Sequence, residues 1–96
     1  KYAVAYAGSG DDGYIKTFTL AGDGTITQIA VEEHDEDNGT HNSLVKVDDN
    51  TYALAYSGNG NDGFIKTFTI PADGSSIELV AQWEHDTGQA TWNSFT

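Results

Sequence analysis

Residues 2–24 read YAVAYAGSGDDGYIKTFTLAGDG, and residues 52–74 read YALAYSGNGNDGFIKTFTIPADG. At an offset of 50, 15 of these 23 positions are identical, and swaps such as Val4/Leu54, Tyr14/Phe64 and Leu20/Ile70 account for most of the rest. One extra Ser then moves the offset to 51: Glu33-His34-Asp35 matches Glu84-His85-Asp86, and Asn42-Ser43 matches Asn93-Ser94. Self-similarity at a fixed period near 50 residues is the mark of a repeat architecture, and it constrains the fold more than any single motif. The two repeats, 1–50 and 51–96, cover the chain and leave no linker or second domain. Lys46–Asn50 have no counterpart in the second repeat, so the chain reads as two repeats cut inside one turn. With no Met in the sequence, the expectation is a processed or excised piece rather than a whole open reading frame.

Composition narrows the function classes. The 96 residues hold 4 Lys and no Arg against 15 acids, a net charge of −11, which argues against binding phosphate backbones or anionic membranes. No apolar run nears the roughly 18 residues that a spanning helix needs, and a signal peptide is not expected. The absence of Cys excludes a disulfide framework and a Cys-ligated zinc site. A hydrophobic content of 38%, with 11% aromatic residues, is enough for a core and unlike a disordered acidic tail.

Within each repeat, Thr, Val, Ile, Tyr and Phe dominate, and Gly/Asp turn clusters recur every 8–12 residues, as in all-β chains. Four strands are predicted per repeat. Reading from residue 42, across the repeat boundary, they lie at about 42–47, 51–57, 64–70 and 76–84, with the GNGNDG loop at 58–63 and an Asp-Gly turn at 73–74. In the first, 14–20 and 25–33 are the third and fourth strands. Residues 2–6 (YAVAY) are apolar on both faces, one of them mainly Ala, which predicts a strand buried on both sides with a close neighbouring sheet. The strand at 14–20 alternates better, so burial is expected to fall away from the first two strands.

Four antiparallel strands in about 50 residues, repeated nearly unchanged, fit a β-propeller blade. The run GSGDDGYIKTFTL resembles the second-to-third strand segment of WD-repeat blades, and Glu-His-Asp stands where that family carries Gly-His. The similarity spans both repeats but departs at two points: Gly-His is absent, and Thr17-Phe18-Thr19 stands where Trp-Asp would close the third strand. The resemblance, shared with recently duplicated bacterial propellers, implies a WD-like blade in an all-β propeller with two blades per chain. It also implies that His34 and His85 reach the turn acids Asp12 and Asp62.

Propellers close with roughly four to eight blades, so two leave hydrophobic faces that another copy must cover. The expectation is a homo-oligomer in which Asn93–Phe95 pairs with the Tyr2–Tyr6 strand of a neighbour; three chains would give six blades, four would give eight, and three is preferred.

The loops 8–13 with 34–42, and 58–63 with 85–92, are expected on one face. The ligand-contact candidates there are His41, Trp92, Asp35, Asp86, Asn59 and Asp62. His41 and Trp92 hold one equivalent position, where a flat ring beside polar groups suits a sugar; the competing role for Trp92 is packing between blades. Asn59-Gly60-Asn61 fits a calcium loop in part, but Ser9-Gly10-Asp11 fits poorly and no acid stands at the needed distance, so tight turns are preferred and calcium is the one cation left open. Zinc is disfavoured because Trp92 replaces His41 in the second repeat. No catalytic residue is assigned: no Ser/His/Asp or phosphate-loop pattern occurs. The function expected is a non-enzymatic, lectin-like module; the alternative is a protein-interaction or adhesion scaffold. Acidity and a Thr/Asn/Gly-rich surface suggest an extracellular or cell-surface bacterial protein.

Overall fold

The computed structural model describes residues 1–95 as an all-β structure of two antiparallel sheets. The first sheet has three strands in the order β1 (Tyr2–Ala7), β2 (Gly13–Leu20) and β3 (Ile26–Asp35). The second has four in chain order: β4 (Thr40–Lys46), β5 (Thr51–Ser57), β6 (Gly63–Thr69) and β7 (Glu78–Asp86). Short connections between antiparallel neighbours make each sheet a meander, as the β-branched and aromatic runs separated by Gly/Asp clusters dictate. Asn93–Phe95, expected to pair with a neighbouring copy, are not in a strand among the described residues of the single chain. No helix among the described residues is long and apolar enough to cross a membrane.

The two sheets match in register. Tyr2↔Phe18 through Ala7↔Gly13 in the first sheet corresponds to Tyr52↔Phe68 through Ser57↔Gly63 in the second. Both second hairpins carry bulges at equivalent places, Gly13/Tyr14 and Thr17/Phe18 against Gly63/Phe64 and Thr67/Phe68. The β1–β2 and β5–β6 connections are also alike. Gly10 and Asp11 lie at φ 71° and 65°, Gly60 and Asn61 at 73° and 63°. Two successive residues at positive φ are what a type I′ turn demands, and Gly followed by Asp or Asn supplies them at little cost.

The core lies between the sheets. Tyr52, Leu54, Tyr56 and Phe68 of the second sheet point at Ile15 of the first, and Ala3, Ala5 and Ala30 pack on their rim. Here the small-residue face predicted from YAVAY meets a large-residue face. Polar links cross the same seam: the Thr17 hydroxyl donates to the Gly74 carbonyl (2.7 Å), and Asn38 Nδ2 donates to the carbonyls of Ser57 and Gly58 (3.1 and 3.0 Å).

Burial departs from the sequence expectation. β1 holds no buried residue, whereas its counterpart β5 is buried from Tyr52 to Ser57. In β2, Gly13, Ile15 and Thr17 are buried although they lie farther from the repeat's start. The cause is position: among the described residues no sheet packs on the large-residue face of β1 and β2, while one packs on their small-residue face.

Candidate functional site

The loops predicted to share a face are joined by hydrogen bonds. The Gly39 amide donates to the Asp11 carbonyl, and the Ala90 amide to the Asn61 carbonyl, both at 2.8 Å. Each β3–β4-type connection is therefore pinned to the turn beside it. This fixes the start of the segments that carry His41 and Trp92.

Both residues adopt positive φ, 53° and 59°, a conformation that costs a non-glycine side chain energy. In β4, Thr40 pairs with Ser57 and Ser43 with Ala55, so His41 and Asn42 occupy a bulge. The bulge re-aims the His41 ring, which meets Trp92 with centroids 4.1 Å apart and planes tilted by 56°. Equivalent positions of the two repeats thus touch each other. The Trp92 side is largely open, 79% exposed. His41 Nδ1 is buried and makes no hydrogen bond among the described residues.

The other candidates do not join this pair. Asp35 is half-buried and fully engaged, accepting from the Tyr56 hydroxyl at 2.8 Å and from the Asp37 and Asn38 amides at 2.9 and 3.3 Å. Burial alone would raise its carboxyl, but those donors outweigh it and hold the group below the ordinary carboxylate range. Asp86 is exposed and closes a local turn on the Gly88 amide at 2.8 Å. Asn59 opens the 3-10 turn, its carbonyl accepting from the Asp62 amide at 3.4 Å. Asp62 lies beside Glu84, and this neighbouring carboxyl, with some desolvation, pushes the Glu84 carboxyl up. Asp12 and Glu33 repeat that pairing in the first sheet.

The turn acids therefore face glutamates, and the expected histidine contacts are corrected. His34 Nε2 lies 2.9 Å from Asn42 Oδ1, and His85 Nε2 lies 3.0 Å from Asn93 Oδ1. Asn42 Nδ2 donates to the Gly39 carbonyl at 2.7 Å, which leaves Oδ1 turned to the ring and places the imidazole proton on Nε2. The reason is the path of the ring. It lies flat against Gly13, where a Cβ would sit 2.2 Å from the His34 ring, so the ring points past the turn into the following loop. His34 Nδ1 is buried without a hydrogen-bond partner among the described residues. Desolvation, with the nearby Lys66 charge, lowers the His34 pKa to about 4.

Sequence reasoning missed Tyr56, Lys66 and Asn38, the polar groups of the seam. The Lys66 ammonium donates to the His34 carbonyl and lies 5.5 Å from the Tyr56 ring centroid. Burial lowers its pKa, partly offset by Asp35. The signal was available: Lys16 and Lys66 recur on an apolar face, where an unpaired lysine is not tolerated.

No group of three or more His, Cys, Asp or Glu side chains is arranged to hold a metal ion among the described residues. Comparison with family models, curated proteins and solved structures finds no match to this chain.

Proposed function

We propose that the chain is a non-enzymatic binding module: a WD-like unit of a β-propeller that copies of the chain complete by oligomerisation, with glycan contact at its repeated loops. Three chains, giving six blades, are the preferred ring. The observation that supports ligand contact is the Trp92 indole, open to solvent and braced at 4.1 Å by His41 in strained backbone. A rigid exposed ring suits the C–H face of a sugar, and the strain persists only where the surroundings impose it. Around a ring, such weak sites would act together and gain by avidity.

A second reading, a protein-interaction or adhesion scaffold without a small-molecule site, draws support from Asp35. That carboxylate is already saturated by internal donors. Glycan-array binding by the assembled protein separates the two. Trp92→Ala is expected to weaken glycan binding about tenfold or more, a loss of ~1.4 kcal/mol, with the assembly mass unchanged. No glycan bound at millimolar concentration would remove the lectin-like reading and leave the scaffold.

A further inference from the structure

The sheet-on-sheet seam inside the chain is heterologous: the small-residue face of the first sheet meets the large-residue face of the second. Each sheet carries both kinds of face, because the two repeats are nearly the same sequence. The first sheet therefore shows solvent an unused large-residue face, with Tyr2 56%, Val4 49% and Leu20 47% exposed. Their counterparts Tyr52, Leu54 and Ile70 are buried at 8%, 0% and 0%. At the other end, His85 and Asp86 are exposed where His34 is buried and Asp35 half-buried.

We infer that the open face of the first sheet docks the far face of the second sheet of another copy of this chain, repeating the internal seam residue for residue. The inference rests on the self-assembling reading above, but not on closure of the ring. Transfer of the internal contacts names the new ones. Tyr6, equivalent to Tyr56, donates to Asp86 of a second copy, as Tyr56 does to Asp35. Lys16 reaches the second copy's His85 carbonyl, as Lys66 reaches His34. Lys16 already lies 5.6 Å from the Tyr6 ring centroid, matching the 5.5 Å of Lys66 and Tyr56, so the group is arranged before its partner arrives. The backbone fits the same operation. β4 pairs Ser43 with Ala55 and Leu44 with Leu54, whereas the corresponding edge of β1 has no strand beside it among the described residues. Ser94 and Phe95 of the second copy, equivalent to Ser43 and Leu44, would pair with Ala5 and Val4 and give the first sheet its fourth strand.

The chain holds no cysteine, so introduced thiols report contacts cleanly. Inside the chain, a Cβ on Gly74 would lie 3.4 Å from the Thr17 Cβ, near disulfide range. The equivalent pair between copies is Gly24 of one and Thr67 of the other. Under mild oxidation a mixture of Gly24→Cys and Thr67→Cys chains is expected to form covalent dimers, and each variant alone is not. As a second measure, Val4→Glu, at a site already exposed in the single chain, is expected to weaken self-association at least ~10-fold by light scattering. Thr19→Glu, on the opposite face, is not. Like-with-like dimers from either single-thiol variant, no dimer from the mixture, or unchanged self-association of Val4→Glu would each overturn the docking. Mixed dimers in a species other than three masses of 10.3 kDa would uphold the docking and remove the six-bladed ring.

Discussion

β1–β2 and β5–β6 carry nearly the same side chains in the same register, yet their surroundings are opposite. Leu54 is fully buried while Val4 is half exposed; Ile77 is buried while Ile26 is 69% exposed. Tyr56 donates to Asp35 and Lys66 to the His34 carbonyl, but Tyr6 and Lys16 have no such acceptor among the described residues. The local geometry survives this difference. Tyr6 stacks on Tyr14 at 5.5 Å and Tyr56 on Phe64 at 5.7 Å, at nearly equal tilts of 20° and 21°. Conformation is thus set by the repeat itself, through turns and cross-strand pairs. Energetic weight is set by whether a second layer is present.

Cavity formation should break the symmetry most sharply. Leu54→Ala removes a side chain with no exposure and is expected to cost about 3–4 kcal/mol in urea unfolding of the monomer. Val4→Ala, its counterpart, is expected to cost roughly 0.5 kcal/mol there. Equal losses would mean that the two faces are equally covered in solution.

Acid titration sharpens the same contrast through His34. Its folded pKa of about 4 lies below the 6.5 of an unperturbed histidine, so the unfolded chain binds the proton more readily. The stability this group contributes is complete above pH 6.5 and is lost as pH falls through 6.5 towards 4. The gap corresponds to an upper bound of roughly 3.5 kcal/mol. Asp35, held low, adds a loss in the same sense at still lower pH. Unfolding free energies measured across pH 4–7 should slope accordingly in the parent chain and be nearly flat in His34→Gln. A flat parent profile would show that the ring is not desolvated.

Tyr56→Phe leaves Asp35 partly buried with one fewer donor and is expected to cost about 2 kcal/mol, as for a hydrogen bond to a charged group. Tyr6→Phe is expected to change monomer stability by less than ~0.5 kcal/mol. The pair of values, read by chemical denaturation below the association threshold, measures how much of the seam the first sheet lacks.

What the sequence shows and what it hides divide along the same line. The strands, the Asp-Gly turns and the pairing of the loops could be read from the repeat, since each depends on residues near in sequence. The exposure of β1 could not, because YAVAY and YALAY are almost the same string in unlike settings. The contact of His34 with Asn42 was visible in part, since His34/Asn42 and His85/Asn93 recur eight residues apart. It was hidden by the resemblance, which pointed to the turn acids instead. The meeting of His41 and Trp92 depends on a bulge and on positive φ at two non-glycine residues, features that no propensity predicts. Equivalence of the two positions was readable; their contact was not.

The smallest expected difference tests the polar edge of the seam. Thr17 Oγ1 donates to the Gly74 carbonyl at 2.7 Å and accepts from the Ala30 amide at 3.1 Å, entirely out of water. Thr17→Val keeps the shape and removes both contacts, leaving a carbonyl and an amide of the seam without that partner. The expected cost is about 1 kcal/mol, the net worth of a typical buried hydrogen bond. Thr67, its counterpart on the uncovered face, remains partly open to water, and Thr67→Val should be close to neutral in the monomer. If a second copy covers that face, the neutrality should vanish with concentration. Thr67→Val would then approach the Thr17→Val cost in thermal unfolding at high protein concentration, while Thr17→Val itself would not change.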